Sequence, residues 1–144
     1  GTKQLARITV ASDVAGSIAF KKLVFNVSTS GTYSLSNLAL KDSNNVTVGS
    51  TAYANSRATS TLTTEEKISG SKTYTLFADI GGTISTGDSI AVSIAAPSAA
   101  IATSTASTLM WSDISNDSHT LVTTDWWSDY LVKNLPTASV ALTK

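Results

Sequence analysis

The large apolar side chains of this chain recur at every second position, in short runs that are separated by turn residues. The clearest runs are Ile8 and Val10, Leu38 and Leu40, and Ile90, Val92 and Ile94. Because a β-strand places successive side chains on opposite faces, this period predicts half-buried strands. The spacing of an amphipathic helix is nowhere sustained. The pattern therefore predicts an all-β fold, an antiparallel β-sandwich of about 8–10 short strands with Greek-key or jelly-roll-like connections.

The same alternation predicts the residues of the core. They are Ile8, Val10, Leu23, Phe25, Val27, Leu38, Leu40, Tyr74, Leu76, Ile90, Val92 and Ile94. Ile18 and Phe20 follow one phase of the alternation, whereas the apolar residues from Leu23 onward follow the other. One extra residue in a strand reverses the facing of everything after it, so a β-bulge is expected at Lys21 and Lys22.

Three stretches carry weaker patterns. Residues 52–64 have few large apolar side chains and are predicted to form an exposed edge strand or a loop. Residues 13–16 predict a turn. Residues 96–107 are rich in Ala, Ser and Thr and predict a loop that crosses the sandwich. A long crossover of this kind favours a sandwich over a barrel.

Length and composition exclude several classes of protein. A chain of 144 residues is long enough for one domain, residues 1–144, with a core that needs no disulfide or metal. Cysteine is absent, which excludes disulfides and thiolate metal sites. The net charge is zero without a basic stripe, so nucleic acid is not an expected partner. Residues 89–110 are the longest weakly polar run, and they are too polar to insert into a membrane.

The polar surface of this chain is built mainly from hydroxyl groups. Charged residues make up only 14% of the sequence, whereas 45 positions are Ser or Thr. Such a composition suits strands and is typical of exported bacterial surface proteins. The chain enters a strand pattern directly, without a visible signal peptide. We therefore expect a processed subunit or a module of a longer exported chain.

The tryptophan-rich segment, residues 109–136, contains all three tryptophans and the only histidine. Strands are predicted near residues 109–111 and through residues 130–132, with a long polar excursion between them. Trp111 is expected to be buried. Trp126 and Trp127 are adjacent in a strand, so they are expected to face opposite ways and to differ in burial.

Two candidate sites lie in this segment. Trp126, Trp127 and Tyr130 could form an aromatic surface that contacts a sugar ring or a neighbouring molecule, or they could plug the end of the sandwich. Asp113, Asn116 and Asp117 concentrate oxygen ligands and make calcium the one cofactor to consider. The alternative for these three residues is a set of Asx-turns, in which each side chain binds its own backbone.

Other reactive residues do not form a catalytic pattern. His119 could act as a general base, but the chain contains no nucleophile-elbow sequence, and a histidine in a polar loop is usually solvated. Glu65 and Glu66 point to opposite faces of a strand and cannot flank one glycosidic bond. A covalent bond from Lys21 or Lys22 to Asn134 would need a buried acid nearby, and no residue is identified for that role. No enzyme activity is expected.

Two patterns carry a resemblance to a known kind of protein. One is the opening run from Leu5 to Phe25, which includes Asp13-Val14-Ala15-Gly16. The other comprises residues 111–115, 124–126, 130–132 and 135–137. Together they resemble a β-sandwich domain of large predicted cell-surface proteins from uncultured ultra-small bacteria. The resemblance implies an extracellular structural or adhesive domain, often one of several in a longer chain.

The sequence thus favours a non-enzymatic extracellular structural protein, a building block of a cell-surface layer, adhesin stalk or filament. The alternative is a carbohydrate-binding module that uses the tryptophan-rich segment. Expected partners are copies of the chain or neighbouring domains of the same surface protein, and a surface glycan under the alternative. Residues 5–11 and 138–143 are apolar alternating strands at the two ends, so association through strand pairing is also expected there.

Overall fold

The computed structural model describes residues 1–13, 16–102 and 106–144. These residues form ten β-strands and no helix. The strands are β1 (Thr2–Ala11), β2 (Ser17–Ser30), β3 (Ser34–Lys41), β4 (Gly49–Ala54), β5 (Arg57–Ser69), β6 (Ser71–Gly81), β7 (Ser89–Ile94), β8 (Leu109–Ser112), β9 (Trp126–Trp127) and β10 (Val140–Thr143). No helix in this part of the chain is long and apolar enough to cross a membrane.

The strands pack as two antiparallel sheets, which confirms the predicted sandwich. Sheet A has the order β1-β6-β3, and sheet B has the order β10-β7-β2-β5-β4. In sheet B, β8 also pairs with β2, and β9 pairs with β8. Among the described strands, only two pairs of consecutive strands are hydrogen-bonded to each other. They are β4 with β5 and β8 with β9. Most connections therefore cross between elements that are not neighbours in a sheet.

Strand β2 is the central strand of sheet B and has different neighbours along its length. Its first half pairs with β5 and β8, and its second half pairs with β5 and β7. The register shifts between Phe20 and Lys22 against both β5 and β8, which confirms the predicted bulge. At the bulge, Lys21 Nζ donates to the carbonyls of Leu62 and Thr63 at 2.6 and 3.1 Å, rather than to Asn134.

The main core lies between the two sheets and contains the predicted residues. Ten of the twelve are buried, and Ile8 and Val10 are partly buried and packed against them. Residues 52–64, however, are not only an edge strand or loop. β4 is an edge strand, but β5 lies between β2 and β4, and its Ala58, Ser60 and Leu62 are buried. The prediction failed there because two of these side chains are small.

A second, smaller core covers the outer face of sheet B. It contains Ala19, Ala102, Met110 and Trp126. Leu109, next to Met110 in β8, belongs to the main core instead. The short strand β8 therefore has apolar contacts on both faces, and it carries the base of the loop described below.

The predicted strand through residues 130–132 is wrong. Leu131 and Asn134 have positive φ angles of 54° and 56°, which an extended strand does not allow. This part of the chain has no strand, although Val132 and Leu135 pack against the main core. The predicted turn at 13–16 and crossover at 96–107 include residues 14, 15 and 103–105, which lie outside the described residues.

The first and last strands each pair within their own sandwich. β1 pairs with β6, and β10 pairs with β7, so both are edge strands. The N-terminal amine of Gly1 donates to Ile80 O at 2.9 Å, and Lys144 Nζ donates to Ile84 O at 2.8 Å. The two ends of this chain therefore lie at the same end of the sandwich. Whether these strands also pair between copies stays a prediction.

Candidate functional site

The polar excursion predicted from the sequence is a loop, residues 113–125, that joins β8 to β9. Ser112 and Trp126 pair at its base. Asp113 Oδ1 accepts the N–H of Ser115 at 3.1 Å, and Asn116 Oδ1 accepts the N–H of Ser118 at 2.9 Å. These are Asx-type contacts, in which a side chain holds the backbone two residues further on.

Asp125 is the centre of this loop's hydrogen bonds and is only 3% exposed. Its Oδ2 accepts from Ser112 Oγ at 3.0 Å, from His119 Nδ1 at 2.7 Å and from the N–H of Asn116 at 3.4 Å. Its Oδ1 accepts from the hydroxyl of Thr123. One buried carboxylate thus ties together both ends and the middle of the loop.

His119 links the loop to sheet B. Its Nε2 lies 3.1 Å from Glu65 Oε2 on β5, while Nδ1 contacts Asp125. The imidazole also stacks on Trp126, with 5.2 Å between ring centroids. Both ring nitrogens of His119 thus face carboxylate oxygens within hydrogen-bond distance. We call the Glu65, His119 and Asp125 arrangement the clamp.

Opposing influences act on the pKa of Asp125. Burial of the carboxyl raises its pKa and is the largest single influence. Hydrogen bonds from the side chains of Thr123, His119 and Ser112 and from the Asn116 N–H lower it. Together these hydrogen bonds outweigh burial and hold the pKa of Asp125 at about 2, below its ordinary value of 3.8.

Acid is therefore expected to weaken the clamp. A carboxyl whose pKa is depressed on folding stabilises the folded state above its unfolded pKa, and that contribution is lost as the pH falls from about 4 to about 2. We expect Asp125→Asn to remove this part of the pH dependence of the melting temperature. Asp113→Asn, at an exposed carboxylate, is the control and should keep the wild-type profile. A pH profile of Asp125→Asn that runs parallel to the wild type would contradict this role.

The clamp supports an exposed apolar turn. Thr120 and Thr123 close it. The N–H of Thr120 donates to Thr123 Oγ1 at 3.2 Å, and the N–H of Thr123 and Trp126 Nε1 donate to Thr120 O at 3.3 and 2.8 Å. Leu121 and Val122 stand at the centre of the turn and are 50% and 92% exposed. Turn centres are usually occupied by Gly, Pro, Asn, Asp or Ser. We call Leu121 and Val122 the tip, a pair of apolar side chains presented to solvent on a hydrogen-bonded base.

Two of the three predicted calcium ligands make the backbone contacts of Asx-turns. Asp113 and Asn116 each accept a backbone N–H, and Asp117 is exposed. Within the described residues, no group of three or more His, Cys, Asp or Glu side chains is arranged to hold a metal ion. Calcium at Asp113, Asn116 and Asp117 stays a prediction that chelation and thermal melting can test.

The three tryptophans differ in environment. Trp126 is 2% exposed and lies in the smaller core, whereas Trp127 is partly buried, so their predicted difference is confirmed. The prediction that Trp111 is buried is wrong, since this side chain is only partly buried, and it pairs across the strands with Trp127. Trp127 stacks on the exposed Tyr130 with 4.9 Å between centroids and a 39° tilt. An aromatic surface would therefore consist of Trp127 and Tyr130 without Trp126.

Fluorescence quenching should resolve this difference in burial. We expect acrylamide to leave one protected component of the tryptophan emission, because Trp126 is enclosed by the smaller core and by His119. Trp126→Phe should remove that component, whereas Trp127→Phe should keep it. Equal accessibility of all tryptophan emission in the wild-type protein would contradict the burial of Trp126.

Several residues of this site could not be identified from the sequence. Asp125 was one aspartate among several, and Glu65 was considered only as one of two adjacent glutamates that point to opposite faces of a strand. The signal for the tip was present, since Leu121 and Val122 interrupt an otherwise polar run. Scans against protein families, curated proteins and solved structures each found no match to the chain.

Proposed function

We propose that this chain is a non-enzymatic, extracellular structural module that associates with copies of itself or with neighbouring domains in a surface layer or filament. The observation that supports this most directly is the tip. Leu121 and Val122 expose apolar surface on a turn that hydrogen bonds at Thr120 close. A rigid apolar projection loses little conformational freedom when another protein covers it, so it suits a contact surface.

The use of the polar residues supports a structural role. Both ring nitrogens of His119 contact carboxylates, so neither is directed at a nucleophile. The hydroxyl of Ser112 donates to Asp125 instead of to the imidazole. A hydrolytic triad requires the serine to contact the histidine and the aspartate to lie behind it. Here the aspartate lies between them, an order that holds a loop in place and does not activate a hydroxyl group.

An extracellular location is supported by composition and by the resemblance to surface-protein domains. The surface is rich in Ser and Thr and poor in charge. A surface of low charge repels other copies weakly, so dense packing is less opposed than for a highly charged protein. These features agree with a protein that packs side by side or end to end at a cell surface.

Carbohydrate binding is the second candidate, and Tyr130 is the observation that favours it. This exposed ring stacks on Trp127 and could contact a sugar. The two rings are tilted by 39°, however, and the indole nitrogens of Trp111 and Trp127 are enclosed. Titration of the protein with soluble surface polysaccharide, followed by tryptophan emission, tests this function, with Tyr130→Ala as the variant that should lose any response.

Electron microscopy and light scattering over a series of protein concentrations test the structural proposal. Wild-type protein is expected to form fibres or sheets at high concentration, and Val122→Ser should do so less. Val46→Ser is the matched control, because Val46 is also an exposed valine but lies between β3 and β4. A wild-type protein that stays monomeric at every concentration tested would overturn self-association as its function.

A further inference from the structure

The flank of the sandwich beside β1 and β10 contains an apolar cleft of about 220 Å³. Leu5, Ile84, Ile90 and Leu142 contribute its apolar lining, and Lys3 and Lys144 also line it. Leu5 and Ile90 belong to the main core, so the cleft opens directly onto the core. The opposite flank differs, because a β-bridge there joins the two sheets. It connects Lys41, at the end of β3 in sheet A, with Thr47, just before β4 in sheet B.

The cleft exists because the two sheets differ in width. Val140 and Leu142 of β10 pair with Val92 and Ile90 of β7, whose side chains are in the main core. Directly paired residues of antiparallel strands point to the same face, so Val140 and Leu142 point toward the core side. They are nevertheless 67% and 45% exposed. Sheet A ends at β1 and has no further strand to cover them.

The tip and the cleft lie near opposite ends of β2. The clamp is next to the start of this strand. Ser112 pairs with Ala19 there, and Glu66, the neighbour of Glu65, pairs with Phe20. The cleft is next to its end, since its lining residue Ser89 pairs with Ser30. About ten residues of extended strand separate these points, or about 30 Å. A contact between tip and cleft is thus a contact between different copies.

We propose that the tip of one copy inserts into the cleft of the next, so that the chain assembles head to tail. This inference rests on the proposed structural function and names its joint. An apolar cavity of about 150 Å³ accommodates benzene, so this cleft has room for Val122 and part of Leu121. Insertion would cover exposed apolar surface on both partners, including Leu142.

Charge at the two surfaces is complementary. Lys3, Lys144 and Asp88 line the cleft, so its charged side chains are net positive, and the loop that carries the tip has the exposed carboxylates of Asp113 and Asp117. Opposite charges around an apolar contact favour one orientation of the partners and oppose others. They also predict that the association weakens with salt, because exposed charges are screened.

A joint of this kind is heterologous, because two different patches of the molecule meet. Such contacts do not close on themselves unless the rotation between copies forms a ring, so they generate open fibres. The tip is small compared with the roughly 800 Å² that each partner buries in a typical stable complex. Single joints are therefore weak, and the chain assembles where copies are concentrated.

Two variants that each disable one surface provide the test. Val122→Asp places a charge at the tip, and Leu142→Glu places one in the cleft. Val46→Asp is the matched control, with an exposed valine away from both surfaces. Sedimentation velocity over increasing protein concentration measures assembly, and circular dichroism verifies that each variant is folded. Replacement of an exposed side chain should preserve the fold. Val122→Ser and Leu142→Ser are milder versions of the two variants.

We expect wild type and Val46→Asp to form progressively larger species, and each surface variant alone to stay monomeric. An equimolar mixture of Val122→Asp and Leu142→Glu should form one-to-one dimers and nothing larger, because each has one intact surface. If wild type assembles but either variant assembles equally well, or if the mixture stays monomeric, the tip-to-cleft joint is overturned while the structural function stands. If wild type does not assemble at all, self-association as the function of the chain is overturned as well.

Discussion

Replacement of Phe25 with alanine is expected to lower the free energy of unfolding by about 3–5 kcal/mol, the usual cost of truncating a buried phenylalanine. Phe25 is buried in the main core at the centre of β2. It pairs with Ala58 on β5 and Ile94 on β7, so strands on both sides surround it. The side chain of Ala58 is too small to fill the space that the phenyl ring leaves, so a cavity would remain.

Phe77→Ala is the matched control for this substitution. Phe77 lies on the other face of β6 from the buried Leu76 and Ala78, and its ring is under Lys41 Nζ at 5.3 Å. It is only partly buried, so its loss should cost clearly less. Urea unfolding of both variants measures the difference. Equal losses of stability would mean that the packing around Phe25 differs from that described here.

The second large effect is expected at Asp125. Asp125→Ala removes the acceptor that Ser112, His119 and Thr123 share, and the buried hydroxyl of Ser112 loses the partner to which it donates. Removal of one partner from a buried, charged hydrogen-bond group typically costs about 3–5 kcal/mol. The loss of stability should be largest in the loop, because all of these donors belong to residues 112–123.

Two measurements separate a local effect from a global one. Hydrogen exchange should accelerate at the amides of residues 113–125 in Asp125→Ala by more than it does in the strands of sheet A. Thermal melting gives the total loss of stability. Asp129→Ala, at an exposed aspartate four residues further on, is the control and should change neither quantity appreciably. Unchanged exchange in the loop of Asp125→Ala would contradict the role of Asp125 as its centre.

Features that depend on neighbouring residues could be predicted from the sequence. The phase change at Lys21 and Lys22 gave the bulge because one residue is enough to reverse the alternation. The difference between Trp126 and Trp127 follows from the geometry of any strand. β5 was mistaken for an edge or loop because Ala58 and Ser60 are buried by their position in the sheet, and their small side chains give no hydrophobic signal.

Features that depend on distant residues could not be predicted. His119 and Glu65 are 54 positions apart and meet only because β8 and β5 both lie beside β2. The order of strands in each sheet has the same origin, since few consecutive strands are paired. The failed strand at residues 130–132 has a local cause instead. Leu131 adopts a left-handed conformation that is uncommon for its residue type, so its sequence gave no warning.

The position of Gly1 and Lys144 at one end of the sandwich has a mechanical consequence. A pulling force applied between them acts across the edge strands β1 and β10 instead of along them. Hydrogen bonds of antiparallel strands lie perpendicular to the strands, so this force breaks them one after another, and the strands peel instead of shearing. In the proposed assembly, load passes instead through the side-chain surfaces of the tip and the cleft, from one copy to the next.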